Sequence, residues 1–385
     1  MERGPTGRYE RTSAGGDEIQ AFVPAPLPPT PPVVLASPLQ RRLERALLAL
    51  GRLDSLSTLQ PGSDAFRSTF IRKEAVFSSR IEGTRASLTD VLLFELDETP
   101  DVPLDDVVQV SNYAAALERG FAQLAAGSPL SNGLLRETHG VLLSRGAGSG
   151  KEPGVFRRSQ SWIGGTRPAN AAFVPPPPAL VPECMADLER FVADQDDGLA
   201  ALVRAALAHA QFEMVHPFVD GNGRMGRLLI TFLLAHAGVL REPLLFLSVS
   251  FEQRREEYCR LLGQIPTRGD WEAWLAFFLD GVRETAEDAV ETGRRLTALF
   301  REDRARIAPA GRRAGSMLRV HDALMARPVI TLPEVVSRTS LTLPTAGTAM
   351  RSLVALGVAR EITGKRRNRV FAYDDYLALM TGERT

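Results

Sequence analysis

The chain has 385 residues, 44% apolar and 24% charged, with a formal net charge of zero. That length allows two to three domains and a large core, and the neutral balance gives no whole-chain pull toward nucleic acid or a membrane surface. The two cysteines, Cys184 and Cys259, lie far apart, which argues against a disulfide framework or a cysteine zinc site and suits a reducing, cytoplasmic setting.

The start of the chain has no apolar stretch of the kind a secretory signal needs, and no run reaches about 18 apolar residues, so no membrane span is expected. Residues 1–38 are rich in Gly and Pro and close on AFVPAPLPPTPPVV. Lacking helical or strand periodicity, they read as an extended or disordered arm. Residues 39–59 have the pattern of an amphipathic helix. Further helices are expected over 65–81, with Gly83 as C-terminal cap, then 88–96 and, after the break PDVPLDD, 107–124. Residues 132–143 add another. The loop RGAGSGKEPG leads into VFRRSQSWIGGTRPANAAFVPPPP, whose alternation and Gly164-Gly165 break predict an irregular hairpin ended by prolines. Helices resume over 181–194, 199–215, 224–237, 251–264 and 271–299. Residues 301–315 are polar and basic and read as a linker. Three short helical segments and two strands around the charged turn TGKRRNR follow, the sequence shape of a winged helix over 316–385.

The stretch HPFVDGNGRMGR, His216 to Arg227, carries the chemistry. A helix ends at His216, which Pro217 is expected to hold extended. Gly221 and Gly223 permit left-handed turns that gather backbone N–H groups into one concavity. The next helix points its positive end at the same concavity, an anion cradle suited to a polyphosphate. Arg224 and Arg227 sit three apart and can both reach its mouth with paired donors. Asp220 is a hard oxygen ligand for Mg²⁺, which needs few carboxylates when phosphates supply the rest. His216 is the one nearby group able to take a proton near neutral pH. Each residue alone would be an ordinary cap, turn or solvated face; together they make a phosphoryl-transfer set. His209, seven residues before His216, reads as a packed residue, and His139, His236 and His321 have no metal-ligand spacing.

This stretch resembles the signature of the Fic family, H-P-F-x-D/E-G-N-G-R-x-x-R, at every specified position. The resemblance implies a mainly α fold: a Fic helical core with a β-hairpin flap (101–300), an N-terminal helical region (39–100) and the C-terminal winged helix. GRYERTS and AFVPAPLPP also look like the N-terminal arm of such proteins, which favours order in that arm. The implied activity is transfer of AMP from Mg-ATP to a Tyr, Ser or Thr hydroxyl of a target protein. His216 would deprotonate the hydroxyl and Asp220 hold Mg²⁺. Gly221, Asn222 and Gly223 would cradle the phosphates, with Arg224 and Arg227 on the outer ones.

The same resemblance makes Trp162, Ile163, Gly164 and Gly165 the tip of a flap that aligns an extended target segment, with Phe156 and Arg157 at its entry. FEQRREEYCRLL resembles the helix closing the adenine side, where the family often has two tyrosines; here Cys259 follows Tyr258, which leaves Tyr258 open between nucleotide contact and core. Ser78-Ser79-Arg80-Ile81-Glu82-Gly83 resembles the family's inhibitory motif, S/T-x-x-x-E-G/N, so Ser78, Glu82 and Gly83 form an expected inhibitor acting on Arg227. Self-modification, a homodimer, DNA contact through Lys365, Arg366, Arg367 and Arg369, a nucleotide-sensing regulator and removal of AMP from targets remain open, as do other donors the family uses.

Overall fold

In a computed structural model, the chain is described over residues 3–59, 63–99, 102–194 and 198–382. It opens not on a loose arm but on a β-hairpin, β1 (Gly7–Ala14) paired antiparallel with β2 (Asp17–Pro24) from Gly7↔Pro24 to Ala14↔Asp17. The correction has a local cause. Gly15 and Gly16 both take positive φ, the two-residue turn that matches strand twist. The hairpin's anchor is tertiary: Ala21, Phe22 and Val23 are buried, and Arg3 ion-pairs with Glu272.

Helices follow in the expected order: α1 (Ser37–Leu59), α2 (Ser63–Ile81), α3 (Leu88–Phe94), α4 (Leu104–Ala125), α5 (Asn132–Leu142), α6 (Val181–Ala193), α7 (Ala201–Val215), α8 (Asn222–His236), α9 (Ser248–Gln253), α10 (Arg255–Arg268) and α11 (Trp271–Ile307). The single helix expected over 251–264 is thus two, divided at Arg254. The α7 helix is apolar on nearly every side and buried throughout, as the central helix of a bundle must be. Against it packs α8, whose own faces are closed by Leu228, Leu229, Phe232 and Leu233. Along α11 lies α1, burying Leu39, Leu43, Ala46, Leu50 and Leu53 at helical spacing.

The basic stretch 301–315 is not a linker. The α11 helix runs through it to Ile307, then a 3₁₀ turn (Ala308–Arg313) leads directly into α12 (Ala314–Ala326). Its arginines face solvent while Phe300, Asp303 and Ile307 are buried, one side of a helix hidden in a polar sequence. The C-terminal unit continues with β3 (Val329–Thr331), α13 (Leu332–Thr339), α14 (Leu343–Ala355), β4 (Arg360–Glu361), β5 (Val370–Ala372) and α15 (Asp374–Thr381). Its sheet has three strands in the order β3-β5-β4, one more than the expected pair, because the short run Val329–Thr331 completes the edge beside β5. This unit is docked on the rest of the molecule. Tyr376 donates to Thr69 on α2 at 3.1 Å, and Arg327 reaches Glu95, which also holds Arg72. No helix among the described residues is long and apolar enough to cross a membrane.

Candidate active site

The centre of the site is the loop joining α7 to α8. His216 closes α7 by donating its amide to the Phe212 carbonyl, and it does so in left-handed geometry (φ 47, ψ 60), not extended. Pro217 disfavours only the right-handed helical region for the residue before it, so a helix cap in the left-handed region satisfies both demands. Its imidazole Nδ1 has no hydrogen-bond partner among the described residues. Burial, with Arg157 beside it, lowers His216 to about 4 against the opposing pull of Glu82 and Asp220, so the ring is neutral at pH 7.

Gly221 takes the left-handed turn (φ 77), but Gly223 lies in the first turn of α8 and is glycine for a different reason. A Cβ there would stand 2.4 Å from Glu82 Oε1 and 3.1 Å from Arg227 Nη1. Asn222 departs from its expected part as a phosphate contact. Its side chain accepts from the Phe218 amide (2.8 Å) and donates to the Phe218 carbonyl (2.9 Å), which engages both ends of the amide and braces the loop. The Asp220 side chain is open to solvent; its Oδ1 accepts from the Gly221 amide and is 3.4 Å from Arg224. No three His, Cys, Asp or Glu among the described residues cluster to hold a metal alone. A part-exposed carboxylate at the mouth of a helix N-terminus fits a metal that brings phosphate oxygens with it.

Arg227 is buried and its donors are engaged by α2. Nε donates to Ser78 Oγ (2.7 Å), and Nη2 donates to the Ser78 carbonyl (2.9 Å) and to Glu82 Oε1 (2.8 Å). Burial works against charge on both partners. Even so, Arg227 keeps Glu82 below the usual carboxylate range, and Glu82 with the nearby tyrosines keeps Arg227 protonated. The Gly83 that follows has φ 102, which ends the helix and frees Glu82 to turn inward. Arg224 donates to Gln109 at 3.1 Å, and its Nε is buried without a partner.

Tyr258 is a core residue. Its hydroxyl meets His209 Nε2 at 2.9 Å, its ring stacks on Phe251 at 4.6 Å, and it is 4% exposed. It belongs to an aromatic cluster with Trp274 and Phe277. His209 is packed, as its helix position suggested.

The hairpin over 155–175 is sparser than expected. One bridge, Ile163↔Phe173, joins its arms, and the chain turns beyond Gly164 and Gly165 through a 3₁₀ turn at Pro168–Asn170. Trp162 and Ile163 therefore lie on the incoming arm, exposed, with the tip further on. Proline at 175–178 removes the amide donors a longer ladder would need. On the outgoing arm, Val174 O accepts from the Phe22 amide, so β2 backs the flap.

Two positioning residues carried little sequence signal. Arg157, expected only as the flap's entry, is buried and donates to the carbonyls of His216 (2.8 Å) and Pro176 (2.6 Å), tying the flap to the histidine's backbone. His139 accepts from the Gly154 amide at Nδ1 (2.8 Å), meets the Asp220 carbonyl at Nε2 (2.9 Å) and stacks on Phe218 at 3.7 Å. Burial lowers it to about 4, so it is a neutral brace with Nε2 as donor. Neither has a motif partner near it in sequence; only the fold brings them to the loop.

The Fic/DOC family N-terminal model matches residues 40–122, and the Fic/DOC family model matches residues 129–234. The protein adenylyltransferase Fic of Drosophila grimshawi is 29% identical over 253 residues, covering 63% of this chain and 49% of its own length; that of Drosophila virilis is equally similar, with 48% of its length covered. The chain spans about half the length of the curated relatives it matches. Among solved structures, a Fic family protein from Desulfovibrio desulfuricans G20 superposes with a TM-score of 0.56 at 21% identity, covering 89% of this chain and 97% of that one. Fic-1 from C. elegans superposes with a TM-score of 0.54 at 23% identity, covering 70% and 75%. Those two likenesses are of fold. The two domain matches, with the intact signature loop, show that the chain carries a Fic domain.

Proposed function

We propose that this chain is a protein adenylyltransferase, transferring AMP from ATP to a side-chain hydroxyl of a target protein, and that Glu82 holds it in check. The observation that carries the reading is a neutral imidazole, its Nδ1 without a hydrogen-bond partner among the described residues, beside a helix N-terminus whose second arginine is already bound by a carboxylate. The target hydroxyl gives its proton to His216 while its oxygen attacks the α-phosphorus. The bond from that phosphorus to the bridging oxygen breaks, and pyrophosphate leaves with the electron pair. The α8 amides and Arg224 face the phosphates, and Asn222 and His139 keep the loop in shape for them. Asp220 is the ligand for Mg²⁺, which when bound would neutralise phosphate charge.

In this account Arg227 is the γ-phosphate's partner, and Glu82 competes for it. A charge-assisted contact of about 1.5–3 kcal/mol is enough to shift the competent fraction ten- to a hundred-fold. Mass spectrometry of the Glu82→Gly variant after incubation with Mg-ATP and candidate targets tests the reading: an AMP adduct on a Tyr, Ser or Thr supports it, and an adduct of different mass replaces AMP with another donor group. An unmodified proteome with wild-type-level ATP binding would sink it.

A second reading concerns the C-terminal unit, which we take as a winged helix. The turn over 364–368 is exposed, and Arg366 and Arg367 have no ion-pair partner among the described residues, a position suited to DNA phosphates. Lys365 is held by Glu98 at 2.5 Å, and α14 offers only Arg351 and small residues for base reading. A mobility shift that weakens steeply with salt supports DNA; no shift at low salt assigns the unit to protein contact.

A further inference from the structure

The flap and its flanks differ in charge from the rest of this neutral chain. From Gly154 to Pro182 there are three arginines and no carboxylate. Arg157 is used internally, on the His216 and Pro176 carbonyls. Arg158 and Arg167 are exposed, and neither has an ion-pair or hydrogen-bond partner for its guanidinium among the described residues. At the base of the flap lies a cleft of about 460 Å³. Its walls are Val155, Phe156, Pro178 and Pro182, its accessible charges are Arg136 and Arg158, and no acidic residue lines it. Arg136 spends one donor on the Gly154 carbonyl and rests on the Phe156 ring, so its remaining donors are available. The cleft adjoins the reacting centre: Phe156 packs on Phe218 of the signature loop at 5.4 Å, and the next residue grips His216.

Beside this cleft runs a segment whose amides pair with no other backbone, though the Ser159 and Ser161 carbonyls accept from Arg157 and Gln160 side chains. No amide of residues 158–162 donates to a backbone group among the described residues, although Ile163 next to them is bridged. Within that segment Gln160 Oε1 and Ser161 Oγ are buried and unpartnered. Exposed Trp162 and Ile163 supply apolar surface at its end.

We propose that the target segment aligned by the flap is acidic: a Glu or Asp near the modified hydroxyl enters the cleft lined by Arg136 and Arg158. This rests on the adenylyltransferase reading for the chemistry, but the docking is tested separately from it. Three fluorescent peptides of equal length, each with one Tyr flanked by Glu, Gln or Lys, are titrated into the full Glu82→Gly chain by anisotropy, and labelled AMP transfer is measured on the same peptides. The Glu peptide is expected to bind roughly ten-fold tighter than the Lys peptide at low salt, with the gap closing as salt rises. Arg136→Glu with Arg158→Glu is expected to reverse the order while ATP binding, which reports the fold, is unchanged; Arg158→Ala alone should narrow the gap. Equal binding of all three peptides, or tighter binding of the Lys peptide, overturns the docking proposal even if AMP is transferred. Selective binding of the Glu peptide with no AMP on any peptide keeps the docking surface and overturns the chemistry instead.

Discussion

The two halves of the site are built on opposite principles. Around Arg227 the guanidinium is buried and three acceptors from α2 meet its donors, the glycine at 223 has no room for a Cβ, and even the loop asparagine is spent on bracing. Around the flap one bridge holds two arms, aromatic and aliphatic side chains face solvent, and the amides of 158–162 pair with no other backbone among the described residues. On the proposed activity, the contrast follows from what each half would recognise. A nucleotide has one shape, so a preorganised cradle serves it without reorganisation. Target proteins vary, so a backbone edge that demands little of their sequence is the economical solution.

Mutations can break that contrast, beginning with the largest expected effect. His216→Ala in the Glu82→Gly background should lower AMP incorporation by about 10²–10⁴-fold with ATP affinity little changed, the range for loss of a general base. If incorporation survives, the neutral imidazole is not the proton acceptor. Glu82→Gly alone should raise incorporation roughly ten- to a hundred-fold, measured as labelled AMP on any accepted target. An unchanged rate would make the Glu82–Arg227 contact merely structural.

A smaller effect sharpens the rigid side of the comparison. Burial raises Glu213 to about 7, and its Oε1 has no partner. With the folded value above the unfolded one, the folded chain holds the extra proton between about pH 4.5 and 7, so stability falls as pH rises through that window. Glu213→Gln should therefore stabilise the protein at pH 8 by on the order of 1–2 kcal/mol and have little effect at pH 4, read from denaturant midpoints. Equal effects at both values would mean that the carboxyl ionises normally. The smallest effect probes how α2 is held from behind. Tyr376→Phe removes the donor to Thr69 and should cost about 1 kcal/mol in thermal unfolding.

Legibility followed the range of the interactions. The helices, the signature loop and the Glu82 motif were readable because each is written in neighbouring residues: an apolar stripe, a cap, a spacing of three or four. The N-terminal hairpin was missed although its Gly-Gly turn is local, because proline and glycine content outweighed the alternation of IQAFV. The stretch 301–315 reads as a linker because its buried side is only Asp303 and Ile307 among arginines, and Asp303 is tolerated there by the Tyr373 hydroxyl at 2.5 Å, seventy positions away.

Within the site the division is the same. Sequence alone determined that His216, Asp220 and two arginines would share one loop, since a glycine-punctuated turn between two helices admits few other arrangements. Only the tertiary structure decided that Asn222 braces and Tyr258 packs, that Gly223 is glycine because of Glu82, and that His139 and Arg157 stand behind the histidine. Those outcomes depend on which partner arrives from a distant helix, and burial then settles whether a polar side chain is spent on the fold or kept for a ligand.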